Sequence, residues 1–297
     1  MSRRPNVKLV PVQGSVAPQA QPEHPAQLGR PRVRTIVVTS GKGGVGKSNL
    51  AANLALALAE RGARIVLVDG DLAQANLDIL LGVHPRYDLQ HVLSGQKTMD
   101  EIVVNGPAGV KLVPAASGAP ELAEIDDFRR EALLRALGTV DEHADLMIID
   151  TASGVSRQVT EFCRLGHEVL VVTTPEMPAF SDAYALIKLL QKQGGLNHAP
   201  RLVVNMTTGD EEADDTAHRI KLVARRFLGF ELECAGTVPF DPSVARAVRA
   251  QEPVVTAFPK SPAAAAYRAL AARLWKPVTT GPALREEFPQ QSQRLEA

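Results

Sequence analysis

A glycine-rich segment that follows Ser40 carries the residue types that hold phosphate groups. It reads Gly-Lys-Gly-Gly-Val-Gly-Lys-Ser and satisfies the spacing G-x-x-x-x-G-K-[ST] of a phosphate-binding loop. Its glycines let successive backbone N–H groups point toward the phosphates without a Cβ penalty. We expect Lys47 to bind the β- and γ-phosphate oxygens and Ser48 to bind Mg²⁺. The predicted binding residues are Gly41, Lys42, Gly43, Gly44, Val45, Gly46, Lys47, Ser48 and Asn49.

The segments on either side of this loop have the patterns of a strand and a helix. A β-branched apolar run at 35–39 precedes the loop, and Leu50, Leu54 and Leu58 recur after it at helical spacing. Gly62 then stands where a glycine ends a helix. Because the motif has its strand–loop–helix context, the sequence predicts a nucleotide site.

Carboxylates follow two further apolar runs. Asp69 and Asp71 come at the end of the run that starts at Arg64, and Asp150 directly follows 146–149. A carboxylate at such a strand end can hold Mg²⁺, usually through a water, or orient the attacking water. We expect at most one of Asp69 and Asp71 to face the nucleotide squarely.

Strand and helix patterns alternate along the chain from Val33 onward. This alternation predicts an α/β fold, a doubly wound and mostly parallel sheet flanked by helices in three α/β/α layers. Ligands of such sheets bind outside the carboxyl ends of the strands. The predicted strands are 33–39, 64–69, 110–113, 146–150, 168–174, 201–206 and 235–239, and the predicted helices 46–61, 127–138, 178–193, 212–228 and 243–250.

The composition fits one large domain in a reducing compartment. The chain has 297 residues, 45% of them hydrophobic, and its 33 basic and 33 acidic residues give no whole-chain argument for a nucleic-acid or anionic partner. Cys163 and Cys234 are far apart and form no C-x-x-C. No apolar run approaches the roughly 18 residues of a membrane span. We therefore expect a cytoplasmic protein.

Three regions differ in composition. Residues 1–31 are rich in proline and lack hydrophobic periodicity, so we expect a disordered arm, with a short partner-binding segment as the alternative. Residues 32–276 form the predicted nucleotide-binding domain, and 277–297 a flexible tail.

Lys42, directly after the first glycine of the loop, is not required by the general phosphate-binding pattern. With it the segment resembles the deviant Walker A family, K-G-G-x-G-K-[ST], of P-loop NTPases that includes the MinD and ParA ATPases. The resemblance covers roughly 33–276. It implies a slow ATP hydrolase that uses Mg²⁺ and forms a homodimer with ATP, in which Lys42 crosses to the nucleotide of the partner subunit.

The same resemblance assigns roles around the strand ends. Asp71 would orient the attacking water and the Mg²⁺ shell, while Asn76 and Asp78 lie in the first switch and the interface. After Asp150 the family continues D-[ST]-[PG]-[AP]-G. This chain has Ala152-Ser153 in the middle, which departs from that pattern. Gly154 fits it, and its amide would approach the γ-phosphate.

The resemblance also places the base. Asn205 ends a predicted strand and matches the adenine-binding position, since its amide offers both a donor and an acceptor. Pro239, Phe240 and Asp241 match the loop beside the adenine. The N-K-x-D run of Ras-like GTPases is not present, so ATP and ADP are the expected nucleotides.

Residues 173–185 look most like the MinD-like branch that includes the flagellar-number ATPase FlhG, which implies regulation of flagellum placement or number with an activating protein partner. Glu176 and Asp182 would lie near the dimer interface. Alternatives are a DNA-segregating ParA, a module that holds ATP without hydrolysing it and, less favoured without C-x-x-C, a metal-cluster scaffold of the Mrp type.

Two later segments have two interpretations each. A helical pattern that includes residues 267–275 has one apolar face. We interpret it as a core helix rather than a helix lying on a membrane. The basic run 218–226 is interpreted as a solvated helix face rather than a contact for DNA phosphates. The apolar face consists of Tyr267, Leu270, Ala271, Leu274 and Trp275.

Overall fold

The structure is a computed structural model that describes residues 33–72, 74–116, 127–140, 144–194, 196 and 198–275. The predicted N-terminal arm and C-terminal tail lie outside these residues. One eight-stranded sheet, in the order β3-β4-β2-β5-β1-β6-β7-β8, runs through the described part. The strands are β1 Arg34–Ser40, β2 Ile65–Gly70, β3 Val104–Asn105, β4 Lys111–Val113, β5 Leu146–Ser153, β6 Glu168–Thr173, β7 Arg201–Thr207 and β8 Glu233–Pro239.

All neighbouring strands are parallel except β3, which runs antiparallel to β4. Strand β1, which feeds the phosphate loop, lies in the middle of the sheet between β5 and β6. Asp150 of β5 pairs in register with Val38 on one side and Asp69 on the other. The loop and the carboxylates therefore meet at one edge of the sheet, as the predicted doubly wound fold requires.

Helices cover both faces of the sheet. Ile36 and Val38 pack toward a core shared with the helices Lys47–Ala59 and Pro262–Leu274, whereas Val37 packs toward the helices between residues 127 and 228. This alternation buries both faces of β1, as expected for a central parallel strand. The helices are α1 Lys47–Ala59, α2 Leu77–Leu81, α3 Leu89–Leu93, α4 Met99–Ile102, α5 Asp127–Leu137, α6 Arg157–Leu165, α7 Met177–Gln193, α8 Asp210–Leu228, α9 Pro242–Arg249, α10 Val254–Ala257 and α11 Pro262–Leu274.

Every strand and helix predicted from the sequence is present, but α2, α3, α4, α6, α10 and β3 were missed. Most of these have two to five residues, too few to show periodicity. Helix α6 is different, because Val159, Phe162 and Cys163 have helical spacing and are buried. Its signal was present in the sequence.

The C-terminal helix α11 is a core helix, as predicted. Tyr267, Leu270 and Leu274 are buried against the sheet and α1. Arg268 reaches across to Glu60 at the end of α1, with its Nε 2.6 Å from Oε2. Among the described helices, none is both long and apolar enough to cross a bilayer.

The basic run 218–226 lies on α8 and agrees with the interpretation as a solvated face. Ile220 and Ala224 are buried, while Arg219 before them and Arg225 and Arg226 after them are exposed. Arg219 pairs with Asp215 one turn earlier, at 3.5 Å. The helix thus has one apolar stripe and one charged side.

Candidate functional site

The phosphate loop connects the end of β1 to the start of α1, and its glycines are needed for two reasons. Gly44 and Gly46 have φ values of 81° and 83°, in the left-handed region that favours glycine. A Cβ at Gly46 would lie 2.3 Å from Nδ2 of Asn205, and one at Gly41 would lie 2.1 Å from the carbonyl oxygen of Asp182. The loop is therefore packed closely against β7 and α7.

Lys47 and Asp150 form a buried ion pair at the floor of the site. Nζ of Lys47 lies 2.7 Å from Oδ1 of Asp150 and 3.3 Å from Oγ of Ser48. Burial raises the pKa of Asp150 above its ordinary value, while the adjacent Lys47 ammonium acts in the opposite direction. The predicted phosphate-binding and metal-binding residues are thus brought together as expected.

The oxygen atoms of Ser48 and Asp150 fit Mg²⁺, which prefers hard oxygen ligands. In the described part of the chain, no group of three or more His, Cys, Asp or Glu residues could hold a metal alone. In nucleotide sites Mg²⁺ usually keeps several waters and takes phosphate oxygens from the nucleotide. In this structure the positive charge beside Asp150 is the Lys47 ammonium group.

The two carboxylates at the end of β2, Asp69 within it and Asp71 directly after it, have different environments. Asp69 is 2% exposed and accepts hydrogen bonds from the backbone N–H groups of Asp71, Asn76 and Leu77 at 3.0 to 3.1 Å. Burial, and then the charge of Asp150, raise the pKa of Asp69 to about 7 against the lowering effect of these bonds. Asp69 therefore fixes the loop that carries Asp71.

Asp71 itself is partly exposed, and its Oδ1 accepts a hydrogen bond from the backbone of Gln74 at 3.0 Å. Its charge acts on Asp150 and raises the pKa of that carboxyl. Asp71 is thus close enough to share the electrostatics of the site but remains accessible. Asp71 lies beyond the last residue of β2, so the strand does not set the direction of its side chain, and the expectation that at most one of the two carboxylates faces the nucleotide stays a prediction.

Residues that follow β5 form hydrogen bonds to the ends of β1 and β2, and so link the two predicted switch segments. Gly154 has φ 100°, and its N–H donates to the carbonyl of Ser40 at 2.8 Å. A contact of this N–H with a γ-phosphate stays a prediction, since the N–H would first have to leave the carbonyl of Ser40. Gln158 of α6 donates from Nε2 to the carbonyl of Gly70 at 3.2 Å. The sequence offered no signal for this link between β5–α6 and the Asp71 loop.

Asn205 lies where predicted, at the carboxyl end of β7, but its side chain already has a partner. Its Nδ2 donates to the carbonyl of Val45 in the phosphate loop at 2.8 Å, and it is buried. Because 160 residues separate the two, the bond was not visible in the sequence. Asn205 fixes the loop, and its contact with adenine stays a prediction.

The loop 239–241 has two parts with different environments. Phe240 is 64% exposed, whereas Asp241 is buried and caps two helices. Its Oδ1 accepts from Ser243 N of α9 at 2.8 Å, and its Oδ2 accepts from Ala263 N of α11 at 3.1 Å. The Asp-Pro-Ser sequence is a typical helix start. The predicted base contacts of Pro239, Phe240 and Asp241 stay predictions, with the Asp241 carboxylate committed to helix capping.

Lys42 is placed away from the buried pair. Its Nζ lies 3.1 Å from Oε2 of Glu176, at the start of α7, and both side chains are exposed. Two residues assigned to the dimer interface from sequence are therefore neighbours within one subunit. The two lysines of the loop thus have separate environments, Lys47 inside the site and Lys42 on its rim.

Comparison with known proteins agrees with this geometry. A protein-family model called ParA, described as NUBPL iron-transfer P-loop NTPase, matches residues 32–275. The antiactivator FleN of Pseudomonas aeruginosa is 40% identical over 242 residues, which cover 82% of this chain and 86% of FleN. The flagellum site-determining protein YlxH of Helicobacter pylori is 34% identical over 222 residues, 72% of each chain.

A solved structure has the same fold. The septum site-determining protein MinD of Pyrococcus horikoshii, complexed with Mg-ADP, matches with a TM-score of 0.68 and 27% identity, over 80% of this chain and 94% of that chain. The strand order and the phosphate loop define a P-loop nucleoside triphosphatase. The chain belongs to the ParA/MinD family of these ATPases.

Proposed function

We propose that this protein is an ATP-dependent dimerisation switch that regulates the placement or number of flagella. The observation that carries the proposal is the separation of the two loop lysines. Lys47 is paired with Asp150 inside the site, while Lys42 lies on the exposed rim beside Glu176. Lys42 is therefore available to a second subunit. The relatives FleN and YlxH, an antiactivator and a flagellum site-determining protein, support the flagellar role.

In the proposed mechanism the chain binds ATP with its loop N–H groups and Lys47. Mg²⁺, held by Ser48 and Asp150, would neutralise part of the phosphate charge. Asp71 orients the attacking water, and Asp69 holds the loop that carries Asp71. Once the γ-phosphate has left, the contacts between subunits that depend on it are lost and the dimer separates.

Hydrolysis by this site is proposed to be slow until a protein partner binds. Asp71 lies on a partly exposed loop, and a partner that holds this loop would raise the fraction of correctly placed carboxylate. We place the protein in the cytoplasm. Peripheral attachment of the ATP-bound dimer to the inner face of the membrane would require residues other than the apolar face of α11, which is buried.

The experiment is a mass measurement in solution. Light scattering on a sizing column should give about twice the monomer mass of 31.8 kDa with a non-hydrolysable ATP analogue and the monomer mass with ADP. A monomer in both states, at nucleotide concentrations that saturate the site, would overturn the switch. For the flagellar role, deletion in the organism of origin should change the number or position of flagella per cell.

A second candidate is ATP-dependent binding to nonspecific DNA, favoured by the exposed basic side of α8. Arg219 and Arg225 are each paired with a carboxylate, at 3.5 and 3.1 Å, which lowers their availability to phosphates. Co-sedimentation with DNA at two salt concentrations, with ATP and with ADP, tests it. An iron-transfer role is disfavoured, because Cys163 is fully buried and forms no C-x-x-C pair with Cys234.

A further inference from the structure

A strained residue lies at the mouth of the nucleotide site. In the described part of the chain, three residues other than glycine have a positive φ, namely Ala108 at 53°, Met206 at 58° and Gln251 at 54°. Met206 stands at the carboxyl end of β7, where the register with β8 shifts between Asn205 and Thr207. A bulky side chain in this backbone region is uncommon and is typically maintained for a function.

The side chain of Met206 reaches the phosphate loop. Its methyl carbon lies 3.3 Å from the position that a Cβ would take at Gly46. The residue before it, Asn205, is bonded to the carbonyl of Val45. Met206 nevertheless remains 38% exposed. Its thioether therefore lies between the loop that holds the phosphates and the solvent, with a free apolar surface.

The charges of the site indicate on which side of the loop the base lies. On one side of β1 the strand ends carry the buried carboxyl groups of Asp69 and Asp150, which make that side unsuited to an apolar ligand. On the other side, the ends of β7 and β8 carry the exposed Met206 and Phe240. A purine is uncharged and has large apolar faces, so the β7–β8 side is its better surface.

We propose that Met206 packs against the purine base of the bound nucleotide and that its left-handed backbone serves to place the thioether there. The inference rests on the proposed ATP-dependent function, and it adds a base-contacting residue. Thioethers make favourable contacts with aromatic rings and adapt to their shape. The strain of Met206 is thus retained because a residue in an ordinary conformation would direct its side chain elsewhere.

The first test compares ADP with inorganic tripolyphosphate, which has no base. Met206→Gly should weaken ADP binding about tenfold, by loss of the thioether contact, and leave tripolyphosphate binding unchanged in calorimetry. Its Tm should stay level or rise by about 2 °C, because glycine adopts the positive φ freely. Met206→Leu, which keeps an apolar side chain, should restore most of the ADP affinity.

Ala108→Gly is the matched control, since Ala108 has a similar φ and precedes β4 at the opposite edge of the sheet. It should leave the affinity for ADP unchanged. Equal ADP affinity of wild type and Met206→Gly would overturn the inference, as would an equal loss of ADP and tripolyphosphate binding. Failure of the wild type to bind ADP would overturn both this inference and the proposed function.

Oxidation gives an independent test. Hydrogen peroxide converts exposed methionines to the sulfoxide, which mass spectrometry locates. ADP should slow oxidation of Met206 at least about fivefold and leave Met177, which is 55% exposed on α7, at its original rate. ADP rather than ATP is used so that dimerisation does not cover Met177. Unchanged oxidation of Met206 in saturating ADP would contradict the proposed contact.

Discussion

Lys42 of the phosphate loop and Glu176, the residue that precedes α7, lie 3.1 Å apart, Nζ to Oε2. Their side chains are 37% and 69% exposed, so the pair contributes little to stability. The lysine that is proposed to reach a second subunit is therefore held within its own subunit by a contact that it can lose at small cost. Dimer formation should depend on Lys42 far more than on Glu176.

Lys42→Ala should abolish the ATP-dependent dimer while ATP binding persists. The reason is that Lys47, not Lys42, forms the buried pair with Asp150. Mass in solution and calorimetric affinity for the ATP analogue are the two measurements. Lys97→Ala is the control, because Lys97 forms a comparable exposed pair with Glu101. A Lys42→Ala protein whose mass still doubles with the ATP analogue would contradict the proposed role of Lys42 in the dimer.

Glu176→Gln should leave the dimer intact and change its dissociation constant less than about fivefold, the scale of an exposed ion pair. The direction expected is tighter association, because Lys42 no longer has to leave a partner in its own subunit. Analytical ultracentrifugation with the ATP analogue gives the constant. Loss of the dimer would mean that Glu176 itself contacts the second subunit.

Asp71→Ala should give a dimer that persists with ATP. Without the carboxylate the attacking water is not oriented, and the rate of phosphate release should fall by about 10² or more. ATP affinity should change little, because the phosphates are held by the loop. Asp214→Ala, an exposed change on α8, is the control. The measurements are the rate of phosphate release and the mass in solution over time. A wild-type rate of phosphate release would exclude the proposed role of Asp71 in orienting the attacking water.

Asp241→Ala should destabilise the fold by about 2 kcal/mol, since one carboxylate caps both α9 and α11 and each cap contributes about 1 kcal/mol. Ser156→Ala is a control with a single backbone cap, since Ser156 Oγ accepts from Val159 N of α6 at 3.3 Å, and it should cost about half as much. Urea denaturation measures both. Equal losses would contradict the double cap.

The effect of Asp241 should also depend on pH. Burial raises the pKa of its carboxyl, but the bonds from Ser243 and Ala263 outweigh burial and hold the pKa below its ordinary value. The stabilisation is therefore present above the unfolded pKa of about 3.9 and is lost as pH falls through the folded value. The difference in unfolding free energy between wild type and Asp241→Asn should shrink on acidification below about pH 4.

The two cysteines should differ in reactivity. Cys163 is buried, and burial raises its pKa to about 12, so at pH 8 it has almost no thiolate. Cys234 is only partly buried, although burial also raises its pKa. A thiol reagent should label Cys234 slowly and Cys163 only after unfolding in urea. Rapid native labelling of Cys163 would show that α6 opens locally.

Much of the fold could be predicted because its signals are local. The phosphate loop, the buried runs of β1, β2 and β5 and the glycine after α1 each depend on backbone angles or periodicity within a few residues. The short helices α2 to α4 could not be predicted, because tertiary packing rather than propensity stabilises helices of four or five residues. The cap of α9 by Asp241 could be predicted from the local sequence, but the bond to α11 could not, because its donor Ala263 lies 22 positions further along the chain.

The sequence by itself determined that this protein binds nucleotide at the end of β1, since G-x-x-x-x-G-K-[ST] needs no distant contact to be recognised. Tertiary structure decided how that loop is held and what surrounds it. Asn205 and Met206 of β7 contact the loop. Lys42 of the loop forms an ion pair with Glu176, which directly precedes α7. The physical reason is that strand order, not chain order, makes these residues neighbours, although the bonded pairs differ by 134 and 160 in residue number.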